Sequence, residues 1–226
     1  MSASDILCRS NEINKFPTVL FNFAHKALLQ TLPTAANLVR WKRITDPSCS
    51  LCKSGLVQTN KHVLSNCPSQ TALQRYTDRH NAILYILVNW LSTVLKSSQK
   101  LFADIEFSNV ESTSELFSSL RPDITVLSDH LLITTELTIC QETNLKSSRL
   151  YKTAKYHNIH SYCTSRSTGK QVKNFTIEVS TLGLMSPTSD LTGALGTPAI
   201  PSPLKEKIIR TVLDHSFKIY CGRNGT

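Results

Sequence analysis

Three of the seven cysteines lie close to one histidine in a short polar stretch. Cys49 and Cys52 are separated by two residues, and His62 and Cys67 follow, which gives the spacing C-x2-C-x9-H-x4-C. Cysteine sulfur and imidazole nitrogen are ligands that Zn²⁺ prefers, and four of them close a tetrahedral site that leaves no position for water or substrate. The spacing therefore predicts a structural zinc site. The alternative is a set of scattered buried thiols beside a surface histidine.

Two carboxylates, Asp123 and Glu136, stand in a segment rich in apolar and β-branched residues. Asp123 follows Pro122 at the start of one predicted strand, and Glu136 lies thirteen positions later in the next strand. With a turn near residues 128–130, antiparallel pairing brings the two side chains into one neighbourhood. Mg²⁺ is typically held by a few acidic side chains together with waters and substrate phosphate oxygens. The pair therefore predicts a magnesium site, with an ordinary hairpin as the alternative.

A basic stretch follows the carboxylates, with no acidic residue from Thr143 through Ile177. Lys152 and Lys155 are three positions apart, which places them on one face of a predicted helix. A basic surface beside a carboxylate pair suits a phosphodiester substrate, because cations neutralise the phosphate backbone. The alternative is a solvated helix that merely carries lysines.

Basic residues also flank the predicted zinc loop, as RWKR before it and RYTDRH after it. Lysine and arginine at these places can line a phosphate backbone, and Trp41 and Tyr76 can stack on unpaired bases. A solvated basic face is the alternative. The residues that we predict to bind nucleic acid are Arg40, Lys42, Arg43, Arg75, Arg79, His80, Arg121, Lys146 and Arg149.

Composition agrees with a globular protein that has a polyanionic partner. The chain has 226 residues, 40% of them hydrophobic, and a net charge of +9, which favours nucleic acid over a membrane. The N terminus lacks the basic start and apolar core of a secretory signal. The longest apolar run, from Ala82, is shorter than the roughly 20 residues that span a bilayer. We therefore expect an intracellular protein without a membrane partner.

Hydrophobic periodicity predicts the elements that position these residues. Apolar spacing of three or four predicts helices over 16–44, broken at Leu32-Pro33-Thr34, and a helix over 71–95. The period then shortens, and β-branched runs predict strands. The predicted strands are 101–107, 123–128, 130–139 and 172–182, with a helix over 144–162 before the last of them and a final helix over 204–220. The order helix, three strands, helix, strand predicts a mixed α/β layer arrangement.

The same patterns predict three regions along the chain. Residues 1–46 form a helical linker segment, 47–70 a CCHC zinc knuckle, and 71–226 the α/β domain. Within that domain, 186–203 is rich in proline, glycine, serine and threonine. Such composition predicts a loop.

Several stretches together resemble a known family. RPD at 121–123, ELT at 136–138 and KTAKY at 152–156 are similar to the restriction-like endonuclease of site-specific non-LTR retrotransposons, a branch of the PD-(D/E)XK nuclease superfamily. The resemblance runs from Phe16 to Tyr220 and includes LPTAANLVRW before the cysteine loop and RYTDRHNAIL after it. In that family a Cys-Cys-His-Cys knuckle lies just upstream of the nuclease. The resemblance implies a PD-(D/E)XK restriction-endonuclease-like core.

The resemblance also implies roles for individual residues. Asp123 and Glu136 would ligate the catalytic Mg²⁺, and the carbonyl of Leu137 would be the remaining ligand that the protein supplies. In the superfamily the catalytic lysine lies two residues after the second acid. Thr138 occupies that position here. The resemblance therefore implies a lysine that has moved to the following helix.

Lys152 is the first candidate for that lysine and Lys155 the second. A lysine there orients the attacking water or stabilises the charge that develops on the phosphate. The implied partners are a DNA target and element RNA, and a DNA target places the protein in the nucleus. The family's domain normally ends a long polyprotein with a reverse transcriptase, for which 226 residues leave no room.

We therefore expect a fragment or a stand-alone descendant of such an element. Its expected activity is Mg²⁺-dependent nicking of DNA, which leaves a 3′ hydroxyl. One alternative is a catalytically inactive zinc-knuckle protein that binds nucleic acid while the carboxylates only shape a hairpin. Another is a protein-interaction module with a structural zinc.

Overall fold

The computed structural model describes residues 3–105, 109–117, 121–165, 170–186 and 189–224. The predicted mixed α/β arrangement is confirmed, and the described residues form a four-stranded sheet and seven α-helices. The helices are α1 (Ala3–Ile13), α2 (Thr18–Leu28), α3 (Ala35–Arg40), α4 (Gln70–Val94), α5 (Leu145–Ser165), α6 (Ser189–Leu195) and α7 (Ser202–Cys221). The strands are β1 (Lys100–Ala103), β2 (Ile124–Leu127), β3 (Leu131–Cys140) and β4 (Gln171–Ser180).

The break between α2 and α3 is held by a buried asparagine. Pro33 lacks a backbone N–H and disfavours helix for the residue before it, so α2 ends upstream of it. Asn37 Nδ2 donates to the carbonyls of Gln30 at 2.8 Å and Leu32 at 2.7 Å. These bonds satisfy two carbonyls of the loop between α2 and α3.

Helix α4 begins within one residue of its predicted start because Ser69 caps it. The Ser69 hydroxyl accepts a hydrogen bond from Ala72 N at 3.2 Å, which satisfies one of the free N–H groups of the first turn. Along the helix, Ile83, Leu87 and Leu91 are buried on one face. The apolar stripe expected from the sequence is therefore the core-facing side of α4.

The sheet has the strand order β1-β2-β3-β4. β1, β2 and β3 pair antiparallel, while β3 and β4 pair parallel along their whole length. A parallel pair requires a crossover, and α5 supplies it. Of the predicted strand 101–107, residues 106–107 lie outside the described part of the chain.

Alternate residues of β3 face different layers. Ile133 and Leu137 belong to the main hydrophobic core with α4 and α7. Glu136, in contrast, forms an ion pair with Lys152 of α5. Because side chains alternate along a strand, the sheet has an apolar face toward α4 and α7 and a more polar face toward α5.

The predicted loop over 186–203 is wrong in its middle, because α6 forms there. Leu191 and Leu195 of this helix are buried in the main core, so tertiary packing overrides the glycine-rich and threonine-rich composition. The final helix α7 buries Ile208 and Val212 in the same core. Helices α1 and α2 pack against α7, and the N-terminal segment therefore shares its core with the C-terminal helix.

No helix among the described residues is long and apolar enough to cross a membrane.

Candidate functional site

A tight turn brings the first two cysteines of the knuckle together. Cys49 N donates to Leu56 O at 2.8 Å, which closes a short hairpin. The chain reverses through Lys53 and Gly55, whose φ angles of 51° and 73° are in the left-handed region. Glycine adopts this conformation readily, whereas it is uncommon for lysine. Cys52 lies directly before this reversal, close to Cys49.

A π turn over His62–Asn66 places the other two ligands. In an α-helix, residues five positions apart lie about 140° from one another around the helix axis. A π turn has more residues per turn, so His62 and Cys67 lie at a smaller angle around the axis and more nearly on one side. The Tyr76 hydroxyl of α4 holds this turn. It accepts from Cys67 N at 3.1 Å and donates to Val63 O at 2.8 Å.

The geometry of the four side chains fits zinc. The ligand atoms of Cys49, Cys52, His62 and Cys67 all lie within 4.8 Å of one another. Cys52 Sγ and His62 Nε2 are 3.6 Å apart. This equals the edge of about 3.6 Å that a tetrahedron with Zn–S and Zn–N distances of about 2.3 and 2.05 Å would have. These four residues therefore form a zinc-binding site.

The surroundings of His62 and Cys52 favour the forms that bind metal, whereas burial raises the pKa of the Cys67 thiol. Burial lowers the pKa of His62 and keeps its imidazole neutral. Burial acts to raise the pKa of Cys52, but hydrogen bonds, chiefly from Ser54 at 3.0 Å, outweigh it and lower that pKa. A neutral imidazole and an accessible thiolate are what Zn²⁺ requires.

The carboxylates lie opposite one another across β2 and β3. Ile124 pairs with Thr135, so Asp123 falls beside Glu136. Asp123 N donates to Glu136 Oε1 at 3.3 Å, and Leu137 N donates to Asp123 Oδ2 at 2.7 Å. The expected hairpin convergence of the two acids is therefore present. Among the described residues, only the Cys/His quartet gathers three or more metal-ligating side chains, so Mg²⁺ at the carboxylate pair would take further oxygens from water and substrate.

Lys152 reaches the carboxylate pair, and Lys155 does not. Lys152 Nζ donates to Glu136 Oε2 at 2.5 Å. Lys155 Nζ instead contacts the Tyr156 hydroxyl at 3.2 Å and is exposed. Of the two lysines left open by the sequence, the structure brings only Lys152 to Glu136.

Burial raises the pKa of Glu136, and the charge of Asp123 raises it further. Hydrogen bonds from Lys152 and Tyr156 oppose the shift. Only 4% of the Glu136 side chain is exposed. Two neighbouring carboxylates with little access to water are unfavourable without a cation between or beside them, and Lys152 is the cation on the Glu136 side.

His80 of α4 stands on the Asp123 side. Its Nε2 lies 3.4 Å from Asp123 Oδ2 and 3.3 Å from the carbonyl oxygen of Leu137. Burial acts to lower the pKa of His80, but the hydrogen bond and charge of Asp123 outweigh it and raise that pKa. Predicted from sequence as a contact to nucleic acid, His80 is instead bonded to two of the oxygens expected to hold Mg²⁺.

Glu178, a second buried carboxylate on the α5 face of the sheet, was not predicted from the sequence. Its strand partner is Thr138, the residue that occupies the usual lysine position. Arg149 donates to Glu178 Oε2 through Nε at 3.1 Å and Nη2 at 2.6 Å. Arg149 was predicted to bind phosphate, but the structure shows its guanidinium bonded to Glu178. A polar residue within a buried strand run was the available signal.

Several predicted nucleic-acid contacts remain exposed. Arg40 and Arg43 both lie with their guanidinium carbons 6.0 Å from the centre of the Trp41 ring, of which 38% is exposed. Two cations beside an exposed indole suit an unpaired base and its phosphate. Lys42, Arg121 and Lys146 are exposed as well.

Two arginines of α4 are placed differently from the prediction. Arg75 is half-buried and donates through Nη1 to the carbonyl of Gly222 at 2.7 Å, which ties α4 to the C-terminal end of the described chain. Arg79 is 1% exposed and bonded to Ser216. Arg79 therefore does not lie on an open surface as predicted, because its position on α4 faces the protein interior.

Residues 10–73 match the model of a family described as zinc-binding in reverse transcriptase. The matched stretch runs from α1 through the zinc knuckle to the first turn of α4 and contains all four zinc ligands. This part of the chain is similar to zinc-binding domains of reverse transcriptase-related proteins. Comparison of the chain with curated proteins gave no significant match.

Proposed function

We propose that this protein is a Mg²⁺-dependent DNA endonuclease domain related to non-LTR retrotransposons, in which the zinc knuckle orders a nucleic-acid-binding surface. The observation that carries the proposal is the convergence of Asp123, Glu136 and Lys152 from three elements. Lys152 Nζ lies 2.5 Å from Glu136 Oε2, and Glu136 Oε1 lies 3.3 Å from Asp123 N. A carboxylate pair with an adjacent lysine suits phosphodiester hydrolysis.

In this proposal Asp123 and Glu136 hold the metal, which would lower the pKa of a bound water and offset charge on the phosphate. Lys152 donates a hydrogen bond toward the non-bridging phosphate oxygen, where charge increases during attack. Tyr156, which is buried with its hydroxyl 3.3 Å from the Arg121 carbonyl, positions Glu136 rather than reacting. The PD-(D/E)XK core and the DNA substrate, with the nucleus as its place of action, belong to the same proposal.

The exposed basic residues of the knuckle supply the binding part of the function. Arg40, Lys42 and Arg43 are all exposed beside Trp41, and such a group can hold a DNA or element-RNA strand through its phosphates. The match of residues 10–73 to a reverse-transcriptase zinc domain supports this assignment.

One observation favours a second candidate, an inactive nucleic-acid-binding protein. His80 Nε2 already contacts both Asp123 Oδ2 and the Leu137 carbonyl. A protonated imidazole at this point satisfies the charge that Mg²⁺ would otherwise satisfy. In the inactive candidate that arrangement is permanent, whereas in the nuclease the imidazole moves aside when the metal binds.

Incubation of supercoiled plasmid with the zinc-loaded protein and Mg²⁺ separates the two candidates. The nuclease converts the plasmid to the nicked form, and the double variant Asp123→Ala/Glu136→Ala does not. Binding of the same DNA by gel shift in Ca²⁺ should be unchanged in the double variant. Cleavage that survives both substitutions would exclude this site, and binding without any nicking by the wild type would support the inactive candidate.

A further inference from the structure

A cleft of about 260 Å³ opens between the π turn of the knuckle, α4 and the end of β3. It lies beside the carboxylate pair, because His80 lines the cleft and also contacts Asp123 at 3.4 Å. None of the described residues that line the cleft is acidic. Its lining residues are Ser65, Tyr76, Thr77, Arg79, His80 and Ile139.

The unusual feature of this cleft is the positive charge of Arg79. Its side chain is buried, with Nη1 donating to Ser216 Oγ at 3.0 Å and the guanidinium 5.5 Å from the centre of the Tyr76 ring. Within the described part of the chain its Nε has no hydrogen-bond partner. No carboxylate of the described residues forms an ion pair with it.

A buried cation without a counter-ion is unfavourable, because burial removes hydration that a neutral hydroxyl and an aromatic ring replace only in part. Burial lowers the pKa of Arg79 to about 10. A second cation, Lys61, acts on the same region: the charges of Arg79 and Lys61 both oppose the rise that burial and the charge of Glu178 give to the pKa of Cys140. Two cations thus act at the end of β3, near the buried carboxylate of Glu178.

We propose that this cleft is an anion site that binds a phosphate group, with Arg79 as its buried cation. Guanidinium groups match phosphate oxygens through paired N–H donors. The buried Nε–H of Arg79 has no partner among the described residues, and a phosphate oxygen that reached it would satisfy it. A phosphate bound here lies next to the carboxylate pair. Its identity as the backbone of a nucleic-acid strand rests on the proposed function, whereas the site itself does not.

The test uses two threonines of α4 that are exposed and bonded to backbone carbonyls of their own helix. Thr77 lines the cleft and donates to Leu73 O at 3.1 Å, while Thr93 lies sixteen positions further along and donates to Trp90 O at 2.7 Å. Thr77→Glu places a carboxylate at the cleft, and Thr93→Glu adds the same charge elsewhere. Neither substitution alters the core, whereas Arg79→Gln tests the cation itself at the risk of unfolding.

Inorganic phosphate should raise the melting temperature of the zinc-loaded wild type above that in sodium chloride of equal ionic strength. Thr93→Glu should keep this shift, and Thr77→Glu should lose it. Equal phosphate shifts in all three proteins would overturn the proposal, as would no shift in the wild type.

A fluorescent single-stranded oligonucleotide, measured by anisotropy without Mg²⁺, identifies the source of the phosphate. If the strand occupies the cleft, Thr77→Glu should raise its Kd at least about tenfold over that of Thr93→Glu. The two variants have equal net charge, so this difference cannot come from a general charge effect. If Thr77→Glu abolishes the phosphate shift while the two oligonucleotide affinities stay equal, the site takes free phosphate. Loss of binding at Thr77→Glu together with no plasmid nicking by the wild type would retain the anion site and reject the nuclease.

Discussion

Lys152 Nζ of α5 donates to Glu136 Oε2 of β3 at 2.5 Å, across sixteen residues of chain. Only 24% of the Lys152 side chain and 4% of the Glu136 side chain are exposed. In the superfamily that the sequence resembles, the lysine follows the acid on the same strand. In the proposed nuclease the following helix would supply this lysine as Lys152, because Thr138 occupies the usual position.

Lys152→Ala should reduce Mg²⁺-dependent nicking by about 100-fold, because it removes a donor aimed at the developing phosphate charge. Lys155→Ala should reduce it less than about fivefold, since the Lys155 ammonium contacts Tyr156 rather than Glu136. Single-turnover plasmid nicking measures both. If both variants lost the same fraction of the nicking rate, the two lysines would act only through general DNA binding.

Zinc removal should loosen the knuckle and lower the stability of the chain. Cys49→Ser should reduce bound zinc from one ion per chain toward zero and lower stability by at least about 3 kcal/mol, or roughly 6–12 °C in Tm. Cys221→Ser is the matched control, because Cys221 is exposed and outside the quartet. Zinc analysis and thermal melting test this, and an unchanged melting profile of Cys49→Ser would count against the site.

The His80–Asp123 contact should make stability depend on pH in Mg²⁺-free buffer. The pKa of His80 is raised above its ordinary value of 6.5, so the contribution is fully present below that pH and is lost as pH rises through the folded-state pKa. The Tm advantage of the wild type over His80→Asn should therefore shrink from pH 6 to pH 9. His130→Asn, in an exposed turn, is the control for the loss of a histidine. A constant advantage of the wild type over His80→Asn would mean that His80 packs without being charged.

The basic face beside the knuckle should contribute to nucleic-acid binding in two separable ways. Arg43 should contact phosphates, and Trp41 should stack on bases. Arg43→Gln should reduce the magnitude of the salt slope, d log K/d log[NaCl], by about 1. Trp41→Ala should weaken single-strand binding by about 1–3 kcal/mol with the slope unchanged. Lys207→Gln, an exposed change on α7, serves as control. Identical slopes for Arg43→Gln and Lys207→Gln would remove this face from the binding surface.

Local signals made the zinc ligands and most elements predictable. The Cys/His spacing specified a compact site, and the apolar period over 71–95 located α4 to within one residue at each end. The placement of Arg79, in contrast, depends on Ser216, which is 137 residues away along the chain. The helical period shows which residues share a face but not whether an arginine on that face is buried against α7. For the same reason α6 was missed, because its burial and not its composition favours the helix.

The role of Glu178 could not be read from its neighbours either. It lies on β4 within an apolar run, and its partner Arg149 belongs to a helix 29 residues earlier. Arg149 and Lys152 are three positions apart on α5 and pair with Glu178 and Glu136. Two ion pairs thus join α5 to one face of the sheet. In the sequence, Arg149 and Lys152 appear only as members of one basic stretch, which does not show that each has a different carboxylate as its partner.

These two pairs allow the central claim to be tested by a matched comparison. Glu136 and Glu178 are both buried, both bonded to a cation of α5, and both on the same face of the sheet. The measurement is the Mg²⁺-dependent nicking rate of zinc-loaded Glu136→Gln and Glu178→Gln, each first shown to be folded by its melting temperature. If Glu136 holds the metal, Glu136→Gln should nick at least about 100-fold more slowly than the wild type, while Glu178→Gln should stay within about fivefold of it. Equal rates in the two variants would contradict that role.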